Sequence, residues 1–140
     1  MKVAQLGTDS LLFTPTAAAT TARTAVLDCQ DANYATIRVL LGVEANTNST
    51  NVAISLAEAD VDAASNYATF NASSNRTVDN TTATIATTHV NLVGRKRYLK
   101  ITVTPDTTTN GAVTVAMQAT LLKRVISASS TMLGPDVQVV

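Results

Sequence analysis

The sequence predicts an all-β chain: an antiparallel, jelly-roll-like β-sandwich with extended N- and C-terminal arms. Three observations carry this. Apolar and polar side chains alternate with period two along at least five stretches, which sets one face of a strand against the other. The alternation does not give way to continuous apolar runs, so each sheet has one covered and one exposed face, the pattern of stacked antiparallel sheets. The composition is that of strands and turns: 46% hydrophobic and 14% charged, with threonine, asparagine and serine filling much of the rest. β-Branched side chains fit a pleated surface and asparagine fits turns.

At 140 residues one domain is expected, large enough to bury roughly two thirds of its unfolded surface without cross-links. The divisions fall at an N-terminal arm, 1–23, a sandwich, 24–124, and a C-terminal arm, 125–140. The first segment mixes alanine and threonine with Pro15 and sustains neither a helical nor a strand period. It is expected to order on a partner.

From Thr24 the two-residue period begins. In "YATIRVLLGV", Ala35, Ile37, Val39 and Leu41 share one face, against Tyr34, Thr36, Arg38 and Leu40, and Gly42 bounds the strand. "NVAISLAEA" repeats the pattern with Val52, Ile54 and Leu56 inward. A helix competes here, because "SLAEADVDAASNYA" holds good helix formers. The β-branched Val52 and Ile54 favour strand, the preceding "ANTNST" reads as a hairpin loop, and a short helical turn fits Asp60 to Ala64. Asn71 to Asn80 reads as polar and turn-like, after which "TATIATTHVNLV" resumes extended character. The clearest alternation comes last: Leu99, Ile101 and Val103, then Val113, Val115, Met117, Ala119 and Leu121, joined by "PDTTTNG" in an expected hairpin. Burying each such side chain is worth about 1.5–3 kcal/mol, enough to fold five or six strands. The tail beyond Ile126 loses periodicity yet keeps Met132, Leu133, Val137, Val139 and Val140, an apolar content that calls for a contact.

Charge and chemistry narrow the function. Ten basic and ten acidic residues cancel, with a pI near 6.5, so no general pull toward nucleic acid or acidic membranes operates. Cys29 is the single cysteine; it allows no intrachain disulfide or cysteine-based metal site, and a reducing compartment is the simplest setting. Gly7 and Asp9 interrupt the stretch where an export signal needs apolar residues, and no window approaches a membrane-spanning helix. Glycosylation-type triplets at Asn48, Asn71, Asn75 and Asn80 are what so Asn- and Thr-rich a chain produces by chance.

No catalytic constellation stands out, and no enzyme and no cofactor are expected. His89 is the single histidine, so a metal cluster or a nucleophile relay would have to be built around it; a side chain near a strand end is the simpler reading. Glu58, Asp60 and Asp62 lie on one face of a strand, where calcium would accept their oxygens, but no glycine-punctuated loop accompanies them. In "GRKRYLKITVTP", Gly94 makes the turn, Arg95, Lys96 and Arg97 keep it soluble and Tyr98 opens a strand. The alternatives are contact with an acidic protein surface and a nucleic-acid platform, for which 4% aromatics are thin.

Four segments carry a resemblance. "AVLDCQDANYATIRVLLGV", "AISLAEADVDAASNYATF", "GRKRYLKITVTP" and "AVTVAMQATLLKR", in that order, resemble the small β-rich structural proteins of tailed bacteriophages often encoded beside the major capsid protein. The likeness covers residues 25 to 122 and is sharpest at Gly94, Lys96, Arg97 and Tyr98. It departs at "ADVDAASN", which keeps Asp60 but lacks the family's turn glycine, and at "TLLKRV", which replaces the usual Gly-His-Pro ending. The resemblance implies a capsid decoration, or cement, protein of the virion. Such a protein is made in the host cytoplasm, binds the outside of the shell and bridges major capsid protein subunits. A homo-oligomer, trimer or dimer, is expected with it, and no nucleic-acid or membrane partner. The expected interface residues are Arg95, Lys96, Arg97, Tyr98, Met132, Leu133, Val137 and Val139. The alternative is a carbohydrate- or receptor-binding module of a tail or fibre.

Overall fold

A computed structural model describes residues 5–18, 21–44, 49–106 and 112–124. Eight strands follow in order: β1 (Gln5–Ala18), β2 (Arg23–Asp28), β3 (Tyr34–Glu44), β4 (Thr50–Ala59), β5 (Ala68–Val78), β6 (Thr84–Asn91), β7 (Tyr98–Asp106) and β8 (Val113–Arg124). Among the described residues the helical structure is one 3₁₀ turn, Ala64–Asn66, close to where a helical turn was expected. None is long and apolar enough to cross a membrane as a helix.

Two four-stranded antiparallel sheets result, in the orders β1-β8-β3-β6 and β2-β7-β4-β5. The pairs β4 with β5, β3 with β6, β2 with β7 and β1 with β8 nest inside one another. The chain therefore behaves as one long hairpin, bent at 60–67 and rolled until β3 meets β8 and β4 meets β7. That is the jelly roll, in which nearly every connection passes from one sheet to the other.

The alternation read from the sequence is the alternation of the core. Ala35, Ile37, Val39 and Leu41 of β3 are at most 1% exposed, and Ile101, Val103, Val113, Val115 and Met117 are fully buried. Val52, Ile54 and Leu56 face inward from β4, which settles that stretch as strand. The inner faces of both sheets thus make one apolar layer. Gly42 does not end β3, which continues to Glu44; it sits where pairing with β8 shifts register between Leu41 and Glu44. A Cβ at Gly42 would stand 3.1 Å from Cβ of Thr114, closer than packed carbons sit, which explains glycine inside this strand.

Four expectations need correction. The loop "PDTTTNG" does not close a hairpin, because β7 and β8 lie in different sheets; nor does "ANTNST", because β3 and β4 do as well. Among the described strands the chain-adjacent pair that forms a hairpin is β4–β5. Asn71 to Asn80 is not a turn: residues up to Val78 belong to β5, which is polar because it is an outer strand. Residues 5–18, expected within an arm, form β1 along the edge of β8. Register breaks between Leu11 and Phe13 and between Phe13 and Thr16 interrupt its period, so the sequence shows no sustained alternation there. The C-terminal segment 125–140, with Met132, Leu133, Val137 and Val139, lies outside the described residues.

Candidate protein-interaction site

One end of the sandwich gathers most of the polar chemistry. Tyr34 stands opposite both Asn91 and Leu122, Gln5 opposite Arg124, and Ala59 opposite Tyr98. The connections 29–33, 60–67 and 92–97 therefore share one end with the start of β1 and the finish of β8. Backbone bonds tie the connections together: the Cys29 N–H donates to the Arg97 carbonyl at 2.8 Å, Asn33 N–H to Leu122 carbonyl at 3.0 Å, and Leu92 N–H to Asn33 carbonyl at 3.0 Å.

The loop from Leu92 to Arg97 is shaped locally. Leu92 is buried and anchors it, the Val93 N–H donates to Asn91 Oδ1 at 3.0 Å, and the Arg95 N–H donates to the Leu92 carbonyl at 3.0 Å. Gly94 takes φ +79°, the left-handed region that an L side chain adopts at a cost. The turn reading of this glycine holds.

The basic residues that follow each meet a carboxylate from another element. Arg95 reaches Glu58 at 3.6 Å and lies over the Phe70 ring at 4.1 Å. Lys96 reaches Asp60 at 3.2 Å. Arg97 grips Asp28 with both arms of its fork, Nε to Oδ1 at 3.0 Å and Nη2 to Oδ2 at 2.7 Å. That bond, ahead of any other influence, raises the Arg97 pKa. Tyr98, half-buried at the start of β7, lies under the Arg97 guanidinium at 4.9 Å. Beside them Lys100 sits over the Tyr67 ring at 4.4 Å, and Tyr67 donates its hydroxyl to Asp62 at 2.7 Å. Desolvation first, then that bond to Asp62, push the Tyr67 hydroxyl up to about 12.

The two charge clusters noted in the sequence are thus one cluster in space. Glu58, Asp60 and Asp62 each turn to a different partner, and among the described residues no three His, Cys, Asp or Glu side chains converge as metal ligands would. Exposed ion pairs of this kind add little stability, and each cation of the loop has its charge matched within the chain. Sequence reasoning missed Asp28, Phe70 and Tyr67, which complete the cluster. The usable signal was the density of opposite charge at 58–62 and 95–97 in a chain otherwise poor in charge.

Two apolar tips rise among these ion pairs. Val61 is 60% exposed and Val93 69% exposed, and they project from the 60–67 and 92–97 connections of the same end. His89 is exposed on β6, bonded through Nδ1 to Thr36 Oγ1 at 3.2 Å and stacked on Tyr34. Cys29 is buried, and burial, with Asp28 beside it, pushes its thiol up to about 11, so it stays a protonated packing group. An open groove of about 260 Å³ separates β5 from β6 and is lined by Phe70, Asn71, His89, Asn91 and Arg95 among others.

No known protein family matches this chain, and no curated protein and no solved structure is similar to it.

Proposed function

We propose that the protein is a capsid decoration protein that seats one end of its sandwich on the outside of a phage head and bridges neighbouring major capsid protein subunits. The observation that carries the proposal is the gathering at one end of the three connections, the two exposed valines, the first residue of β1 and the last of β8. Apolar tips inside a rim of paired charges have the anatomy of a docking surface: the tips are desolvated, and the rim sets orientation. Many copies on a symmetric shell add by avidity what one small contact lacks. The resemblance read in the sequence of residues 25 to 122, to small β-rich structural proteins of tailed bacteriophages, implies the same role. Within this reading Arg95, Lys96, Arg97 and Tyr98 orient the contact, and Met132, Leu133, Val137 and Val139, which lie outside the described residues, add apolar surface to it. The copies associate with one another as a dimer or trimer.

Glycan binding by a tail or fibre module would use the groove between β5 and β6. Its phenyl ring, Phe70, is covered by the Arg95 guanidinium, and its imidazole, His89, is stacked on Tyr34, so neither offers the open platform a sugar would stack on. The decoration reading is therefore preferred. Mass spectrometry of purified particles tests it. The chain is expected at a copy number commensurate with the capsid lattice, and Val61→Asp with Val93→Asp is expected to leave the isolated protein folded while abolishing its addition to particles. Particles that lack the polypeptide would overturn the proposal.

A further inference from the structure

Each sheet ends in two outer strands, β1 and β6 in one, β2 and β5 in the other. An outer strand offers a row of unpaired N–H and C=O groups, which proteins blunt with charge, proline, short length or bulges. Three of the four are blunted. β1 carries Asp9 and Pro15, and its register breaks twice. β2 is six residues long, with Arg23 and Asp28 at its two ends. β5 carries Arg76 and meets β4 through two register breaks.

β6 has none of these devices. Its sequence, TIATTHVN, holds no Asp, Glu, Lys, Arg, Pro or Gly, and it is rich in the β-branched residues that favour strands. It pairs with β3 from Tyr34↔Asn91 to Leu41↔Thr84 without a break in register, so its far edge is regular over its whole length. Among the described residues no strand takes that edge. Beside it lies an apolar pair on the outer face of the sheet: Ile85, 61% exposed, and Leu40 directly across from it in β3, 40% exposed.

We infer that β6 is a self-association edge, and that two copies of this chain join β6 to β6, antiparallel, into one continuous eight-stranded sheet. The occupant is a second copy because of charge and symmetry. The chain's formal net charge is zero, so copies do not repel at long range, and an uncharged, unbroken strand is complementary to itself. A two-fold axis perpendicular to the sheet near Thr87 pairs the strand with its own image. It sets each Ile85 against outward side chains of the opposing strand, His89 among them, and so closes the open hydrogen bonds and covers Ile85 together. The contact is isologous and uses up the edge. With the other outer strands blunted, assembly stops at the dimer instead of running on as a fibre. The inference does not depend on the capsid reading.

Sedimentation of the full chain, with the unchanged protein and two variants, tests it. The unchanged protein is expected to sediment as a dimer that dissociates on dilution. Thr87→Lys sets like charges near the axis, and its dissociation constant is expected to rise about threefold or more, with the thermal transition unchanged at dilutions where both proteins are monomeric. Val26→Ser, exposed on β2 of the other sheet, is expected to remain as dimeric as the parent. Hydrogen exchange on the unchanged protein gives a readout that needs no variant: amides of β6 are expected to become more protected as concentration rises. A protein monomeric at every concentration, a dimer indifferent to Thr87→Lys, a dimer lost in Val26→Ser, or β6 protection independent of concentration would each overturn the inference.

Discussion

Single residues show where this sandwich departs from the lowest-energy choice. Thr50 opens β4 fully buried, and among the described residues its hydroxyl has no hydrogen-bond partner. A buried hydroxyl left unpaired costs about 1–3 kcal/mol. Thr50→Val keeps the branched shape and removes the polar atom, so it is expected to stabilise the fold by about 1 kcal/mol, read as a higher urea midpoint at unchanged slope. Gly94 works the other way. Its φ of +79° disfavours any side chain, while an added Cβ would meet nothing within 4 Å. The cost of Gly94→Ala is then conformational alone, about 1 kcal/mol, with Gly94→Asn costing less. Equal costs for the two variants in chemical denaturation would show that the turn had changed shape.

Asp79 is a third such residue, at the connection from β5 to β6. Its Oδ1 accepts from the Thr81 N–H at 2.8 Å, the Thr82 N–H at 2.7 Å and the Thr81 hydroxyl at 2.9 Å. The backbone bond from Thr81, then that from Thr82, hold its carboxyl below the usual carboxylate range. A carboxylate depressed in the folded state stabilises above its unfolded pKa of about 4 and stops doing so as pH falls through the lower folded value. The stability gap between the parent and Asp79→Ala is therefore expected to be full at neutral pH and to close on acidification below about pH 4. A gap independent of pH in denaturation series would refute the assignment.

At the scale of elements, β1 and β5 share a lesson. Both are outer strands, both are broken in register, and neither shows sustained alternation, because an outer strand with bulges answers to backbone pairing more than to burial. The clean alternators β3, β7 and β8 are interior strands with an inner face in the core. β8 depends on β1 in a specific way. From Val113 to Leu122 it carries no charged residue, so without β1 it would present a long apolar edge of the kind that pairs with other chains. A protein lacking residues 1–18 is expected to aggregate on refolding where the full chain stays in solution, a difference that light scattering reads directly. If residues 1–18 were a loose arm, their removal would leave solubility unchanged.

The whole molecule is governed by nesting. The outermost pair, β1 with β8, joins strands from opposite ends of the described chain, and each pair within it closes a shorter loop down to β4 with β5. Contacts this distant in sequence must be won against loop entropy before they stabilise anything. Refolding is expected in the range of milliseconds to seconds or slower, with the β4–β5 hairpin and its packing on β7 forming before β1 docks. Pulse-labelling hydrogen exchange checks the order: protection of β1 amides ahead of those in β4 would contradict it. The same rolling delivers the connections 29–33, 60–67 and 92–97 to one end, where the charge pairs assemble.

The sequence by itself determined the faces. Side chains alternate along a strand whatever its partners, so Ile37, Ile54, Ile101 and Val115 were legible as core before any pairing was known. Turn chemistry at Gly94 was equally local. What the tertiary structure alone decided is which strands meet. Period two carries no record of partner, and a polar loop such as "PDTTTNG" closes a hairpin or crosses between sheets with the same residues. The same holds for the ion pairs: the carboxylates of 58–62 and the cations of 95–97 find each other only because β4, β6 and β7 end side by side. Local physics sets direction and burial, whereas long-range hydrogen bonding sets neighbours, and in this protein the candidate site is made of neighbours.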